Sequence, residues 1–205
     1  METRQIILYS ILSGIFISIG GWAFLAIGGV IGMVMFAFGL LAVVHFGTTL
    51  YTGTAGFAFR NGGKYWKLPL ILLFNVIGCV LMGALTRMSS LELATAAEKV
   101  VTARINAGFF NSIGLGIGCG IIMTTAVAFA PDKRYLTLLF GVPVFIACGF
   151  FHSIADAFYI SSCSLEFLAT NWSPILISWV GVVIGNFIGC NIQKILGIHN
   201  LDKSI

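Results

Sequence analysis

The stretch GFFHSIADAF, Gly149 to Phe158, places a histidine, a serine and an aspartate within five residues. If this stretch is helical, His152 and Asp156 stand at i and i+4 and can touch. An aspartate beside an imidazole raises its proton affinity and fixes its orientation, which is the basis of a proton-linked relay. The alternative is a protonated Asp156 that serves only as a hydrogen-bonding group. A second polar stretch, HFGTTLYTGTAGF, runs from His45 to Phe57 and carries Thr48, Thr49, Thr52 and Thr54. Both stretches interrupt an apolar run with a glycine followed by polar residues. Glycine admits unusual backbone geometry, and the hydroxyl and carboxyl groups can bond freed backbone groups. We read them as two broken helices facing a central pathway, because irregular backbone at membrane depth is tolerated only against protein or a water-filled cavity. The competing reading is two continuous helices whose threonines bond back to their own carbonyls. His45 is an intramembrane ionisable group, and so a possible second polar site. It could equally be bonded to a neighbouring helix.

The elements that must hold these groups follow from charge. The chain has 205 residues, of which 59% are hydrophobic and 9% charged, and its mean hydropathy is +1.03. Soluble domains carry roughly 25% charged residues, so this is the composition of an integral membrane protein. No Asp, Glu, Lys or Arg occurs from Gln5 to Phe59, Leu68 to Thr86, Ile105 to Pro131, Tyr135 to Ala155 or Phe167 to Gln193. A spanning helix needs about 20 apolar residues. The first window holds two spans and the others one each, which predicts six. The run from Ile6 to Gly28 is too long for a signal peptide and shows no clear cleavage site, so it is the first span.

Cys79, Cys119, Cys148, Cys163 and Cys190 are scattered singly, four of them within predicted spans, and read as buried structural thiols. No metal or cofactor is expected. With both termini cytoplasmic, the inner segments hold Arg4, Arg60, Lys64, Lys67, Lys133, Arg134, Lys194 and Lys203, against Arg87, Lys99 and Arg104 outside. That bias places a multi-pass protein in the cell inner membrane with both ends inside. The net charge of +4 is then a topology signal, and no nucleic-acid partner is implied.

The chain also repeats. Asn75-Val76-Ile77-Gly78-Cys79 in span three is matched by Asn186-Phe187-Ile188-Gly189-Cys190 in span six. A unit of three spans repeated once has opposite orientations in the bilayer, an arrangement of transporters and channels with the site where the repeats meet. The expectation is a single all-α channel domain over residues 1–205, with repeat one at about 6–87, repeat two at about 105–198, and helices two and five broken.

These residues resemble the formate/nitrite transporter family. HSIADAF is similar to its His-Ser-Ile-Ala-Asn motif, and LYTGT (Leu50 to Thr54) to the loop that breaks its second span. FAFGL (Phe36 to Leu40), NVIGC, IGNFIGC and GFFNSI (Gly108 to Ile113) resemble further family stretches, over roughly residues 6 to 198. The resemblance implies a homopentamer in membrane lipid, an aquaporin-like protomer, and small monovalent anions as cargo. It puts the central histidine at His152 and the threonine facing it at Thr52. It puts a cytoplasmic constriction at Leu40 and Tyr51, and a periplasmic one at Phe36 and Phe145. Between apolar rings, a positive or proton-donating imidazole attracts an anion or passes it a proton so that it crosses as a neutral acid.

Three positions depart from the family pattern. Asn111 stands where a lysine is common, Thr49 where an acidic residue precedes the loop, and Asp156 where asparagine follows the histidine. The first and third changes disfavour a bare anion at the centre. A channel for a neutral solute or weak acid, such as ammonia or hydrogen sulfide, is therefore an alternative, and a non-transporting membrane scaffold is another.

Elsewhere, Met88 to Arg104 reads as a short amphipathic helix at the outer surface. The alternating glycines of Gly114 to Gly120 read as close helix packing, Ala130 to Tyr135 as an inside turn, and His199 as an exposed tail residue. The chain shows no nucleophile–base set, paired carboxylate site or nucleotide loop, so an enzyme is not expected.

Overall fold

The computed structural model describes residues 2–56, 66–89, 91–128 and 135–196. Arg60, Lys64, Lys133, Arg134, His199 and Lys203 lie outside these residues, as does most of the expected turn at 130–135. The elements are α1 (Thr3–Ile27), α2 (Gly29–His45), α3 (Tyr51–Ala55), α4 (Lys67–Ser89), α5 (Leu91–Ala128), α6 (Leu136–Ala147), α7 (Ser153–Ser162), α8 (Leu165–Cys190) and α9 (Ile192–Ile195).

The charge-free windows explain this pattern. An apolar segment without water must satisfy its backbone internally, which favours helix. Among the described residues, α1, α4, α5 and α8 are long and apolar enough to cross a membrane, and α2 and α6 are shorter apolar helices. Their outward faces carry large apolar side chains, including Val30, Phe110, Leu136 and Phe140. Helix α1 packs on α4 and α2, α5 on α8, α2 on α6, and α7 lies against α4 and α5.

Helix α2 stops at His45 and α3 starts at Tyr51, while α6 stops at Ala147 and α7 starts at Ser153. The second residue of each gap is the glycine expected from sequence. Gly47 has φ 59 and Gly149 has φ 68, left-handed backbone that L side chains rarely adopt. The backbone groups freed at each gap find the same kind of partner. Asn75 Oδ1 accepts the Tyr51 N–H at 2.8 Å, while its Nδ2 donates to the carbonyls of Ser10 (2.7 Å) and Thr49 (2.9 Å). Asn186 Oδ1 accepts the Ser153 N–H at 2.8 Å, while its Nδ2 donates to the carbonyls of Gly116 and Phe151, both at 2.9 Å. One buried amide in each half thus ties the start of a short helix to the loop before it and to a neighbouring long helix.

The cysteines of the repeated motif reach the other way. Cys79 Sγ donates to the Ile154 carbonyl, and Cys190 Sγ to the Thr52 carbonyl, both at 3.3 Å. Each long helix therefore holds the short helix of its own half through asparagine and that of the other half through cysteine. The motif glycines set the approach. A Cβ on Gly78 would sit 2.2 Å from the Ile11 carbonyl oxygen, and one on Gly189 would sit 2.1 Å from that of Ile117. Small residues let helix backbones meet closely. Of the five cysteines, four are buried, but Cys148 is exposed, unlike the buried thiol expected.

The amphipathic helix expected at 88–104 is the first piece of α5, set off from the span that follows by non-helical backbone at Gly108 (φ 70, ψ −177). Its Glu92, Thr95, Lys99 and Thr102 are exposed. Its Ala94, Ala97 and Val101 are buried, and Glu98 Oε1 accepts from Ser164 N (3.1 Å) and Oγ (2.6 Å) at the start of α8. Glu98 thus ties this piece to the start of α8, and Arg104, further along it, reaches Asp156 of α7.

Candidate functional site

Thr52 in α3 and His152 at the head of α7 meet where the two gaps converge. Thr52 Oγ1 lies 3.0 Å from His152 Nε2, and both residues are buried. His152 is not part of the helix it precedes. Its backbone is extended (φ −115, ψ 114), and Nδ1 accepts the Ala155 N–H at 3.1 Å, capping α7. Cap acceptance at Nδ1 leaves Nε2 to carry the ring proton and donate it to Thr52 Oγ1.

Aromatic rings adjoin this pair. The Phe145 ring lies 5.9 Å from the His152 ring and meets Phe36 edge-on at 5.8 Å. Leu40 is buried one turn beyond Phe36 on α2. Tyr51 is buried at the start of α3, with its hydroxyl donating to the Val183 carbonyl at 3.3 Å. Beside His152 and Phe145, a cavity of about 110 Å³ is lined by Phe24, Arg104, Phe145, His152, Asp156 and Tyr159, among others.

The expected His152–Asp156 side-chain pair is not what the structure shows. Asp156 Oδ1 instead accepts from Arg104 Nε at 3.0 Å, and Asp156 meets His152 only through the backbone, its N–H on the His152 carbonyl at 2.8 Å. The i, i+4 argument fails because His152 is the cap, so its ring turns across the helix end rather than down its side. Asp156 Oδ2 is buried without a hydrogen-bond partner. The Arg104 guanidinium also lies over the Phe151 ring at 4.2 Å, a cation–π contact.

Asn111 is exposed and does not join the site. The positive group at the centre is Arg104, on the other side of the Gly108 bend. Thr49 is bonded away, sharing a hydrogen with Ser10 Oγ at 2.8 Å. His45 is exposed at the end of α2, with its ring edge-on to Phe46 at 5.2 Å. It lines a separate, open cavity of about 310 Å³ together with Thr48, Thr54 and Tyr135. The structure therefore gathers Thr52, His152, Asp156, Phe36 and Phe145, with Leu40 and Tyr51 buried nearby, and leaves out Asn111, Thr49 and His45. Sequence reasoning missed Arg104 as a site residue. The available signal was its place as the last charge before the window at Ile105. Among the described residues, no three of His, Cys, Asp and Glu come together as metal ligands.

Comparison with known proteins agrees with this architecture. The family model described as Formate/nitrite transporter matches residues 1–197. A structure described as a pentameric formate channel with formate bound is 20% identical, covers 96% of this chain and 95% of its own, and superposes with a TM-score of 0.76. Another, described as an FNT family ion channel, is also 20% identical, covers 93% and 87%, and has a TM-score of 0.74. At that identity the likeness is one of fold. No curated protein sequence matches the chain. With the family model spanning nearly its whole length, the chain is a multi-pass membrane protein that belongs to the formate/nitrite transporter family.

Proposed function

We propose that the chain is a channel for small monocarboxylates, formate first, with nitrite-like anions as further cargo and a proton moving with the anion. Its pathway runs past the Thr52–His152 pair. The observation that carries this reading is that pair itself: a buried hydroxyl and imidazole 3.0 Å apart, adjoined by the Phe36–Phe145 edge contact and the apolar Leu40. Apolar rings exclude hydrated ions, and a polar station between them receives a solute that has shed its water. The solved relative described as a formate channel, with its pentameric state, supports formate as cargo and a homopentamer as the assembly.

In this reading α2 with α3, and α6 with α7, each make one broken span, so the protomer has six spans in two three-helix repeats. The repeats run in opposite directions, since three is odd. The recurring asparagine and cysteine bonds support that arrangement. The lysine and arginine distribution favours both termini on the cytoplasmic side of the inner membrane. The roles given to Thr52, His152, Asp156, Leu40, Tyr51, Phe36 and Phe145 belong to this proposal, as does the single channel domain.

The Arg104–Asp156 pair favours a second reading, because its charges cancel and leave little net attraction for an anion. A neutral weak acid such as hydrogen sulfide is then the cargo. Stopped-flow uptake into proteoliposomes separates the readings, with formate, nitrite, hydrosulfide and acetate compared for wild type and His152→Ala. Formate uptake that collapses in the variant is the expected result. Folded protein that passes none of these overturns both readings.

A further inference from the structure

The cavity beside His152 holds an ion pair whose acceptor is only half used. Asp156 is 2% exposed and Arg104 is 19% exposed. One carboxylate oxygen takes the Arg104 Nε–H, and the other, Oδ2, is buried with no partner. Such an oxygen is costly to keep buried as a bare acceptor, and a proton or a donor relieves it. Arg104 is bound through Nε, and its guanidinium carries four further N–H donors in a planar fork that suits a carboxylate or similar oxyanion. The cavity of about 110 Å³ has both groups in its wall.

From this geometry we infer that Arg104 and Asp156 form an exchange latch, in which Asp156, rather than His152, takes up the proton that travels with the anion. This rests on the monocarboxylate reading above. At rest the cavity holds one positive and one negative charge. An anion arriving at the Arg104 guanidinium would leave two negative charges beside one positive in a buried space, which is strongly disfavoured. One proton taken up from hydronium of the aqueous phase onto Asp156 Oδ2, with water left behind in that phase, restores neutrality. The anion then pairs with Arg104, and the aspartic acid stands beside it. In the next step the Oδ2–H bond breaks and an O–H bond forms on the anion. The neutral acid leaves past Phe145 and Phe36, and the Arg104–Asp156 pair closes again. No charge crosses the aromatic contact, and the cycle moves one proton with each anion.

The other groups around Asp156 leave it this role. From α5, Arg104 faces it, bonded through Nε. From its own helix, Tyr159 shares the cavity, and from the cap before it His152 has Nδ1 occupied by the Ala155 N–H. α1 and α6 supply Phe24, Phe145 and Ile146 to the wall, none of which titrates. From α4, Cys79 is bonded to the Ile154 carbonyl and Arg87 to that of Ser161, and from α8, Trp179 is bonded to the Ser153 carbonyl.

The test uses the full chain in proteoliposomes, with formate uptake and lumen pH followed together across an acid-to-neutral series, against protein-free vesicles. Wild type is expected to acidify the lumen in step with formate and to transport faster as pH falls. Asp156→Asn is expected to flatten that pH profile, and Asp156→Glu to restore it. Arg104→Gln is expected to raise the half-saturating formate concentration by about tenfold, the loss of one charge-assisted contact. An Asp156→Asn protein that keeps acid-stimulated, proton-coupled uptake overturns the inference and leaves the monocarboxylate reading standing. A folded wild type that carries no formate overturns that reading instead.

Discussion

Thr52 Oγ1 and His152 Nε2 stand 3.0 Å apart across a separation of 100 residues, so each interrupted helix completes the polar contact of the other. Thr52→Val keeps the side-chain shape but leaves the Nε2–H buried without an acceptor. The expected cost is about 1–3 kcal/mol of stability, together with reduced formate uptake. Thr52→Ser should retain both. Thermal unfolding of the purified protein and proteoliposome flux check the two effects separately, and an unchanged melting temperature in the valine variant would show that the bond contributes nothing to stability.

Asn75 and Asn186 each make three hydrogen bonds in matching places. At about 1 kcal/mol per bond, Asn75→Ala and Asn186→Ala should each lose about 3 kcal/mol or more. The two losses should be similar. A melting series in which one variant is near wild type and the other is not would show that the halves are held differently.

Gly78→Ala and Gly189→Ala each set a Cβ against a backbone carbonyl that cannot move aside. Overpacking of this kind costs roughly 1–3 kcal/mol, occasionally more. Both should yield little monodisperse protein in size-exclusion chromatography. Gly53→Ala meets nothing closer than 3.8 Å and should behave as wild type in the same measurement.

Asn111→Ala should leave formate uptake within roughly twofold of wild type, as for an exposed position away from the site. A larger drop in initial rate would return Asn111 to the pathway.

Much of this architecture was legible in the sequence, because the bilayer allows few solutions. Charge-free windows mark the long helices, and Gly47 and Gly149 mark the breaks because left-handed backbone needs glycine. The N-x-I-G-C repeat marked two equivalent places but not what its asparagine does, which depends on carbonyls from two other elements. Thr52 facing His152 came from the family resemblance. Arg104 was hidden for a physical reason: it lies 52 residues from Asp156, and the bend at Gly108 that brings it in is one backbone angle. The i, i+4 argument for His152 and Asp156 assumed helix at a residue that turned out to be the cap.

The crossed cysteine bonds have a mechanical consequence. Helix α4 is tied to Tyr51 by Asn75 and to Ile154 by Cys79, and α8 to Ser153 by Asn186 and to Thr52 by Cys190. Each long helix is thus a yoke across both short ones. Neither short helix can swing without dragging the other or breaking buried bonds on both sides. In the proposed channel, that coupling would give the centre a fixed bore that sorts solutes by what fits and sheds its water, and would leave any shutter to the ends of the pathway.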